Sequence, residues 1–182
     1  MKKQDLLRTK PPLNPCAQTD SLCVVGNSQD SEYLSNLSRI EVLKKDRKLE
    51  FLLISLIYRE GLRVSEALSI THASLLANRW IVVKGLKGSS DRLIEDAELV
   101  GLLRDLSSVG SGLFNVFDRF YVYRLFKSLN INYSSGSSSK LSVTHAGRHL
   151  LVKNMRSMGI SEELIKTKMG HVKIENTGRY GH

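Results

Sequence analysis

Two arginines, two histidines and a tyrosine are residue types that could together carry out chemistry on a phosphodiester. His145 and Arg148 are three residues apart, His171 follows Arg148 by 23 residues, Tyr180 lies nine residues beyond His171, and Arg63 is far upstream. Cleavage by a side chain needs cations on the non-bridging oxygens, an acceptor for the nucleophile's proton and a donor for the leaving oxygen. Arginine suits the first task because its planar fork binds phosphate bidentately and stays charged. Arg63 and Arg148 are the expected phosphate clamp.

Tyr180 is the candidate nucleophile. A phosphotyrosine ester retains much of the energy of the broken bond, so a second hydroxyl can attack it in turn without ATP. A phenol has an unperturbed pKa of about 10, so Tyr180 needs a nearby positive charge or base. A metal nuclease is disfavoured, because no cluster of carboxylates and histidines has metal-ligand spacing. We expect neither a metal nor a cofactor.

Helices and a hairpin are expected to position the upstream residues. Apolar residues at helical spacing predict an amphipathic helix that ends at Gly61: Leu49, Leu52, Leu53, Leu56 and Ile57. A second helix is expected over Val64 to Leu68, directly after Arg63. The β-branched run from Arg79 to Lys84, a Gly/Ser-rich tip and a return through Leu93 and Ile94 predict a β-hairpin.

Further helices are expected downstream. Asp96 and Asp118 are predicted helix caps, and residues 132–140, rich in serine, are a predicted mobile loop. A helix from about Gly147 to Met158 should bury Leu151, Val152, Met155 and Met158. It should stop at Gly159, and Ser161 should cap the next helix. The predicted fold is mainly α with a small β-hairpin or sheet.

Composition indicates one globular domain with a basic surface. The 182 residues, 41% of them hydrophobic, are enough for one core and few for two domains. Residues 1–30 have little hydrophobic periodicity and are expected to be a flexible tail or linker, with the domain spanning 31–182. The net charge of +9 favours a polyanion such as DNA. The two cysteines match neither a disulfide scaffold nor a zinc site, and the lack of a long apolar segment predicts a cytoplasmic protein.

The spaced residues resemble the tyrosine recombinases, the family of phage integrases and chromosome-dimer resolvases. Gly61 to Leu68 (GLRVSEAL) is similar to the family's first arginine box, and His145-x-x-Arg148-His149 to its second. The segment from Met169 to His182 (MGHVKIENTGRYGH) resembles the family pattern that ends in the nucleophilic tyrosine. The similarity extends from about Leu49 to the end of the sequence.

The resemblance implies roles for the candidate residues. Arg63 and Arg148 would bind the scissile phosphate, His145 would act as acid or base beside the Tyr180 nucleophile, and His171 would donate a hydrogen bond to the phosphate. The family also places a general-acid lysine in the hairpin turn, about five residues before an arginine. Lys87 fits this spacing to Arg92, and Lys84 is the competing assignment.

Three departures from the family pattern stand out. Gly147 replaces the usual leucine before the second arginine, which removes a core side chain and is expected to loosen that helix start. The residues before the catalytic fold are too few for the family's separate N-terminal DNA-clamping domain. The sequence also lacks the segment after the tyrosine that packs on a neighbouring protomer in many members. We expect either a fragment or a minimal recombinase.

The resemblance predicts a site-specific recombinase or integrase that acts through a 3′-phosphotyrosyl intermediate on double-stranded DNA. The family's mode of assembly implies a tetramer on DNA and a monomer in its absence. Two alternatives remain open at this point. The first is an enzyme like type IB topoisomerases, and the second is a non-catalytic DNA-binding remnant or regulator of the same fold.

Overall fold

A computed structural model describes residues 31–86, 89–106, 112–131 and 143–171, with the backbone alone for 143 and 144. Within these ranges the chain is mainly α with a small antiparallel sheet, as the sequence predicts. The elements, in chain order, are α1 (Ser31–Glu41), α2 (Leu43–Asp46), α3 (Lys48–Tyr58), α4 (Val64–Leu68), β1 (Leu75–Leu76), β2 (Trp80–Val83), β3 (Arg92–Ile94), α5 (Ala97–Leu106), α6 (Arg119–Ser128), α7 (Val143–Ser157) and α8 (Glu162–Met169).

Helix α3 is the centre of the core. The prediction of a helix here is confirmed, but its amphipathic character is wrong, because every side chain from Phe51 to Tyr58 is buried. The helices α1, α2, α4, α5 and α7 all contact α3. A helix that is covered on all sides has no solvent face, and its charged residues, Lys48 and Glu50, lie in its first turn.

The sheet is a hairpin with one added strand. The predicted hairpin is confirmed as β2 paired antiparallel with β3, with Ile81 opposite Ile94 and Val83 opposite Arg92. The two-residue strand β1 was not predicted, and it pairs antiparallel with β2. Ile81, Val83 and Ile94 are buried, so this sheet presents one apolar face to the core.

The three predicted helix caps are confirmed, whereas α3 ends at Tyr58 and not at the predicted Gly61. Asp96 accepts hydrogen bonds from the backbone N–H groups of Glu98 and Leu99, at 3.0 and 3.1 Å. Asp118 and Ser161 cap α6 and α8 in the same manner. The helices α1 and α2 were missed, although α1 buries residues at helical spacing.

The last turn of α7 departs from the prediction. Met158 is 47% exposed, so its predicted burial is wrong, while the side chains of Leu151 and Val152 are buried as expected. Asn154 lies on the buried face instead, and its amide contacts the Met158 sulfur at 3.5 Å. Helix α7 ends at Ser157, so Met158 lies beyond the helix and no further helical turn covers it.

Packing explains why a glycine occupies position 147. Helix α7 begins at Val143 and is continuous through Gly147, so the predicted start at about Gly147 and the expected loosening there are wrong. A Cβ at position 147 would lie 2.9 Å from a ring carbon of Tyr58. The Tyr58 ring is buried and stacks on Tyr33, with ring centroids 5.1 Å apart. An aromatic ring from α3 therefore lies against the backbone of Gly147 and occupies the space where a leucine side chain would begin.

Among the described residues, no helix combines the length and the apolar character needed to cross a membrane.

Candidate active site

Arg148 lies on α7 and is 1% exposed. Its guanidinium donates to the Gly61 carbonyl and to the Met169 carbonyl, the latter at 3.2 Å. A buried guanidinium is stable only when its N–H groups are paired, so these two carbonyls hold it in place. They belong to the loop before α4 and to the end of α8, and Arg148 thereby ties α7 to both segments.

His171 lies directly against Arg148. Its Nε2 is 3.1 Å from Nη2 of Arg148. Because a guanidinium can only donate, Nε2 must accept, and the ring proton must be on Nδ1. Burial lowers the pKa of His171 to about 4, and the nearby charges of Arg148, Arg63 and Arg92 act in the same direction. His171 is therefore a neutral imidazole at pH 7.

Two glycines with left-handed backbone allow this close packing. Gly61 has φ +63°, and a Cβ there would lie 2.9 Å from the Met169 sulfur. Gly170 has φ +65° and ends α8 immediately before His171. L-residues with a side chain rarely adopt this conformation, whereas glycine adopts it readily. The glycines of the two sequence motifs thus direct the chain into the site.

Arg63 is held at the start of α4 by Glu66. The Glu66 carboxylate accepts from the Arg63 backbone N–H at 2.9 Å and from Arg63 Nη1 at 2.8 Å. Arg63 Nη1 also contacts the Ser89 hydroxyl, which belongs to the segment leading into β3. The Arg63 side chain is 27% exposed, so solvent reaches it while its orientation is held.

Glu66 is a buried carboxylate, with its side chain 1% exposed. Burial raises its pKa, but hydrogen bonds from Arg63 and the charges of Arg92 and Arg63 outweigh that effect, and the net pKa lies below its usual value. Glu66 is therefore ionised. It both caps α4 and orients Arg63, which are the two roles that an Arg-x-x-Glu pair on one helix allows.

Arg92 was considered in the sequence only as a landmark for the hairpin lysine, yet it lies within the site. Its Nη2 donates to Glu66 at 2.7 Å, and its Nη1 donates to the Lys168 carbonyl at 2.9 Å. Burial lowers its pKa to about 10, and the charges of Arg148 and Arg63 contribute, so Arg92 is still a cation at pH 7. The sequence feature that points to Arg92 is an arginine at the start of a short strand.

His145 and His149 lie one helical turn apart on α7. His145 is more exposed than His149, which is buried. Partial burial and the positive charges of Arg148, Arg63 and Arg119 lower the pKa of His145. An imidazole that is neutral at pH 7 can accept a proton, which suits the role expected of His145. Burial likewise lowers the pKa of His149.

Two predicted site residues, Lys87 and Tyr180, lie outside the described residues, as does the predicted loop 132–140. The competing lysine, Lys84, is 75% exposed and forms an ion pair with Asp91 at 2.8 Å. The fold thus brings together Arg63, Arg148 and His171, with His145 on the same helix as Arg148. The site contains three guanidinium groups, those of Arg63, Arg92 and Arg148, and two of them, Arg63 and Arg92, bind the Glu66 carboxylate, so the site carries a net positive charge that suits an anion. No group of three or more potential metal ligands occurs in the described part of the chain.

Comparisons with known proteins agree with this geometry. Residues 32–182 match the model of the phage integrase family. A comparison with curated protein sequences found no match. The solved structure of XerA recombinase is 22% identical, with a TM-score of 0.63 over 94% of this chain and 62% of that chain. The catalytic domain of bacteriophage HP1 integrase is 22% identical, with a TM-score of 0.58 over 84% of each chain.

A DNA-bound relative is also similar in fold. The structure of XerH bound to its difH substrate in a pre-cleavage complex is 19% identical, with a TM-score of 0.60 over 84% of this chain and 48% of that chain. The chain therefore spans about half to three fifths of the length of these Xer recombinases. The likeness establishes the tyrosine recombinase catalytic-domain fold.

Proposed function

The chain belongs to the phage integrase family, and on that basis we propose that it cleaves and rejoins DNA strands at a specific site through a 3′-phosphotyrosyl intermediate. The observation that carries this proposal is the convergence of Arg63, Arg148 and His171. Arg63 directly precedes α4, Arg148 lies on α7 and His171 follows α8, and Arg148 lies in contact with His171. A phosphate bound at this point would meet fixed positive charge, which stabilises a phosphorane-like transition state.

The reaction assigns one task to each group. The Tyr180 oxygen attacks phosphorus, the bond from phosphorus to the 5′ oxygen breaks, and a phosphotyrosyl ester forms. His145 accepts the phenol proton, and Lys87 donates a proton to the departing 5′ oxygen. Attack by a 5′ hydroxyl from a second strand reverses these steps and releases the enzyme. Every bond broken is replaced by one of the same type, so no external energy source is needed.

Double-stranded DNA is the proposed substrate. Helix α6 carries three exposed cations, Arg119, Arg124 and Lys127, and no acidic residue. The charge of Arg119 reaches His145, so this basic helix lies beside the site. Clustered cations next to a phosphate-cleaving centre favour binding of the DNA backbone. A tetramer on DNA is proposed from the family resemblance.

Trapping of the covalent intermediate tests the proposal. Duplexes with a randomised centre and a nick would be incubated with the protein, and covalent adducts would be recovered under denaturing conditions. A nick lets the cleaved fragment diffuse away, so the phosphotyrosyl adduct accumulates. We expect wild-type protein to enrich a defined sequence and Tyr180→Phe to form no adduct.

Tyr121→Phe is the matched control, because it removes a hydroxyl that bonds Arg47 and Glu50 outside the site. It should react like the wild type. An adduct that survives in Tyr180→Phe would contradict the assigned nucleophile. Adducts without sequence preference, together with relaxation of supercoiled plasmid, would favour a topoisomerase. DNA binding by a wild type that forms no adduct would favour a non-catalytic DNA-binding protein.

A further inference from the structure

We propose that Arg92 is a positioning residue for strand cleavage: it joins Glu66 to the end of α8 and leaves the charge of Arg63 available to the scissile phosphate. This inference rests on the proposed function. It assigns Arg92 no contact with the substrate, since the guanidinium is occupied by protein groups.

The first argument is geometric, because Arg92 connects three segments that carry site residues. It begins β3, its Nη2 binds Glu66 beside Arg63, and its Nη1 binds the Lys168 carbonyl in the last turn of α8. A Cβ at Gly170 would lie 3.1 Å from Nη1, so the guanidinium lies against the residue that precedes His171. Displacement of Arg92 would therefore release Glu66 and the end of α8 together.

Backbone contacts keep the same segments in register. The Ser90 N–H donates to the Gly170 carbonyl at 3.2 Å, and Ser89 forms an isolated β-bridge with His171. The Ser89 hydroxyl also contacts Arg63. The residues leading into β3 thus lie between Arg63 and His171, and Arg92 binds on both sides of this junction.

The second argument concerns charge. Glu66 is needed to orient Arg63, but a buried carboxylate paired with Arg63 alone would neutralise the cation that must bind phosphate. Arg92 supplies a second cation 2.7 Å from the same carboxylate. With Arg92 present, the group of Arg63, Arg92, Arg148 and Glu66 has a net charge of +2. Without Arg92, the net charge falls to +1, and Glu66 competes with the phosphate for Arg63.

Lysine cannot replace Arg92 fully. The two acceptors, Glu66 Oε2 and the Lys168 carbonyl, lie on different elements and are bound by different nitrogens of one planar group. A lysine ammonium is a single point charge without this fork. Arg92→Lys therefore preserves the charge but loses the bridge, whereas Arg92→Gln loses both.

The test compares adduct formation on two forms of the DNA recovered by covalent capture with wild-type protein. One form has the normal scissile phosphate, and the other has a neutral methylphosphonate there, which needs less cationic stabilisation. We expect Arg92→Lys and Arg92→Gln to slow adduct formation on phosphate by about 10- to 100-fold, with Gln more severe and DNA affinity nearly unchanged. The defect of Arg92→Gln should be clearly smaller on methylphosphonate. Arg104→Gln, which changes an exposed arginine on α5, is the control and should react normally.

Melting curves accompany these rates, because loss of a buried cation also affects folding. If Arg92→Gln does not fold, the rates of adduct formation by Arg92→Lys still test the inference. Wild-type rates in folded variants, or equal defects on both substrates, overturn the inference and leave the proposed function intact. Unfolding of both variants would make Arg92 a purely structural residue and would overturn it as well. A wild type that forms no adduct overturns the proposed function and this inference together.

Discussion

Replacement of Gly61 by alanine tests how the backbone before α4 supports the site. Gly61 has φ +63°, and an added Cβ would meet the Met169 sulfur at 2.9 Å and a Leu151 methyl at 3.0 Å. Its carbonyl also accepts a hydrogen bond from Arg148. Gly159 is the matched control, because it has φ +74° with nothing within 4 Å of an added Cβ.

The expected cost of Gly61→Ala has two parts. Left-handed backbone in a residue with a Cβ costs about 1–2 kcal/mol, and Gly159→Ala should show this part alone. Insertion of a methyl group into a packed core costs about 1–3 kcal/mol more, since Met169 is fully buried and Leu151 nearly so. The total for Gly61→Ala is therefore about 2–5 kcal/mol.

Thermal and urea unfolding of the two variants provide the measurement. In a chain of this size, 1 kcal/mol corresponds to about 2–4 °C, so Gly61→Ala should melt about 2–12 °C below Gly159→Ala. The same variant should form covalent adduct more slowly, because a shifted Gly61 carbonyl moves Arg148. Equal losses of stability in the two variants would refute the packing argument, and a normal adduct rate would refute the link to Arg148.

Three further predictions follow from burial and capping. The pKa of His171 is lowered to about 4, so between about pH 6.5 and pH 4 the unfolded chain binds a proton that the folded chain does not. The free energy of unfolding should therefore fall by about 1.4 kcal/mol per pH unit as the pH is lowered through this window. The loss should be shallower in His171→Asn. An unchanged pH slope in that variant would contradict the assignment. Gly147→Leu should lower the free energy of unfolding by about 1–3 kcal/mol because the new side chain meets Tyr58; a gain in urea-denaturation stability would argue against this contact. Asp118→Ala should cost about 1 kcal/mol in the same assay, and Ser161→Ala less, because the Asp118 cap bond is 2.5 Å and the Ser161 bond is 3.4 Å; the reverse order would contradict the capping geometry.

Much of the architecture was accessible from local signals. The core helix α3, the short α4, the hairpin and the caps at Asp96, Asp118 and Ser161 all follow from apolar spacing, β-branched runs and side chains that accept backbone N–H groups. The exposed end of α7 and the fully covered α3 did not follow. Burial on the second face of a helix depends on which other helices pack there, and periodicity contains no such information.

The candidate site, like the fold, was predictable from the sequence only in part. Its candidate residue types and their order were readable in the sequence, and the fold places Arg63, Arg148 and His171 close together. The partners of these residues were not readable. Arg148 binds a carbonyl 87 residues away, and Arg92 binds one carboxylate 26 residues away and a carbonyl 76 residues away. Such contacts leave no local pattern, because the segments meet only after the core has formed.

The sequence by itself thus determined the family and the fold class and supplied the candidate site residues, since those depend on side-chain types and on local spacing. Only the tertiary structure decided which nitrogen of His171 carries the proton, why Gly147 suits this chain and that Arg92 shares the carboxylate of Glu66 with Arg63. Each of these properties depends on solvent exclusion and on the distance between charges. Both are set by packing between segments that are remote in the chain.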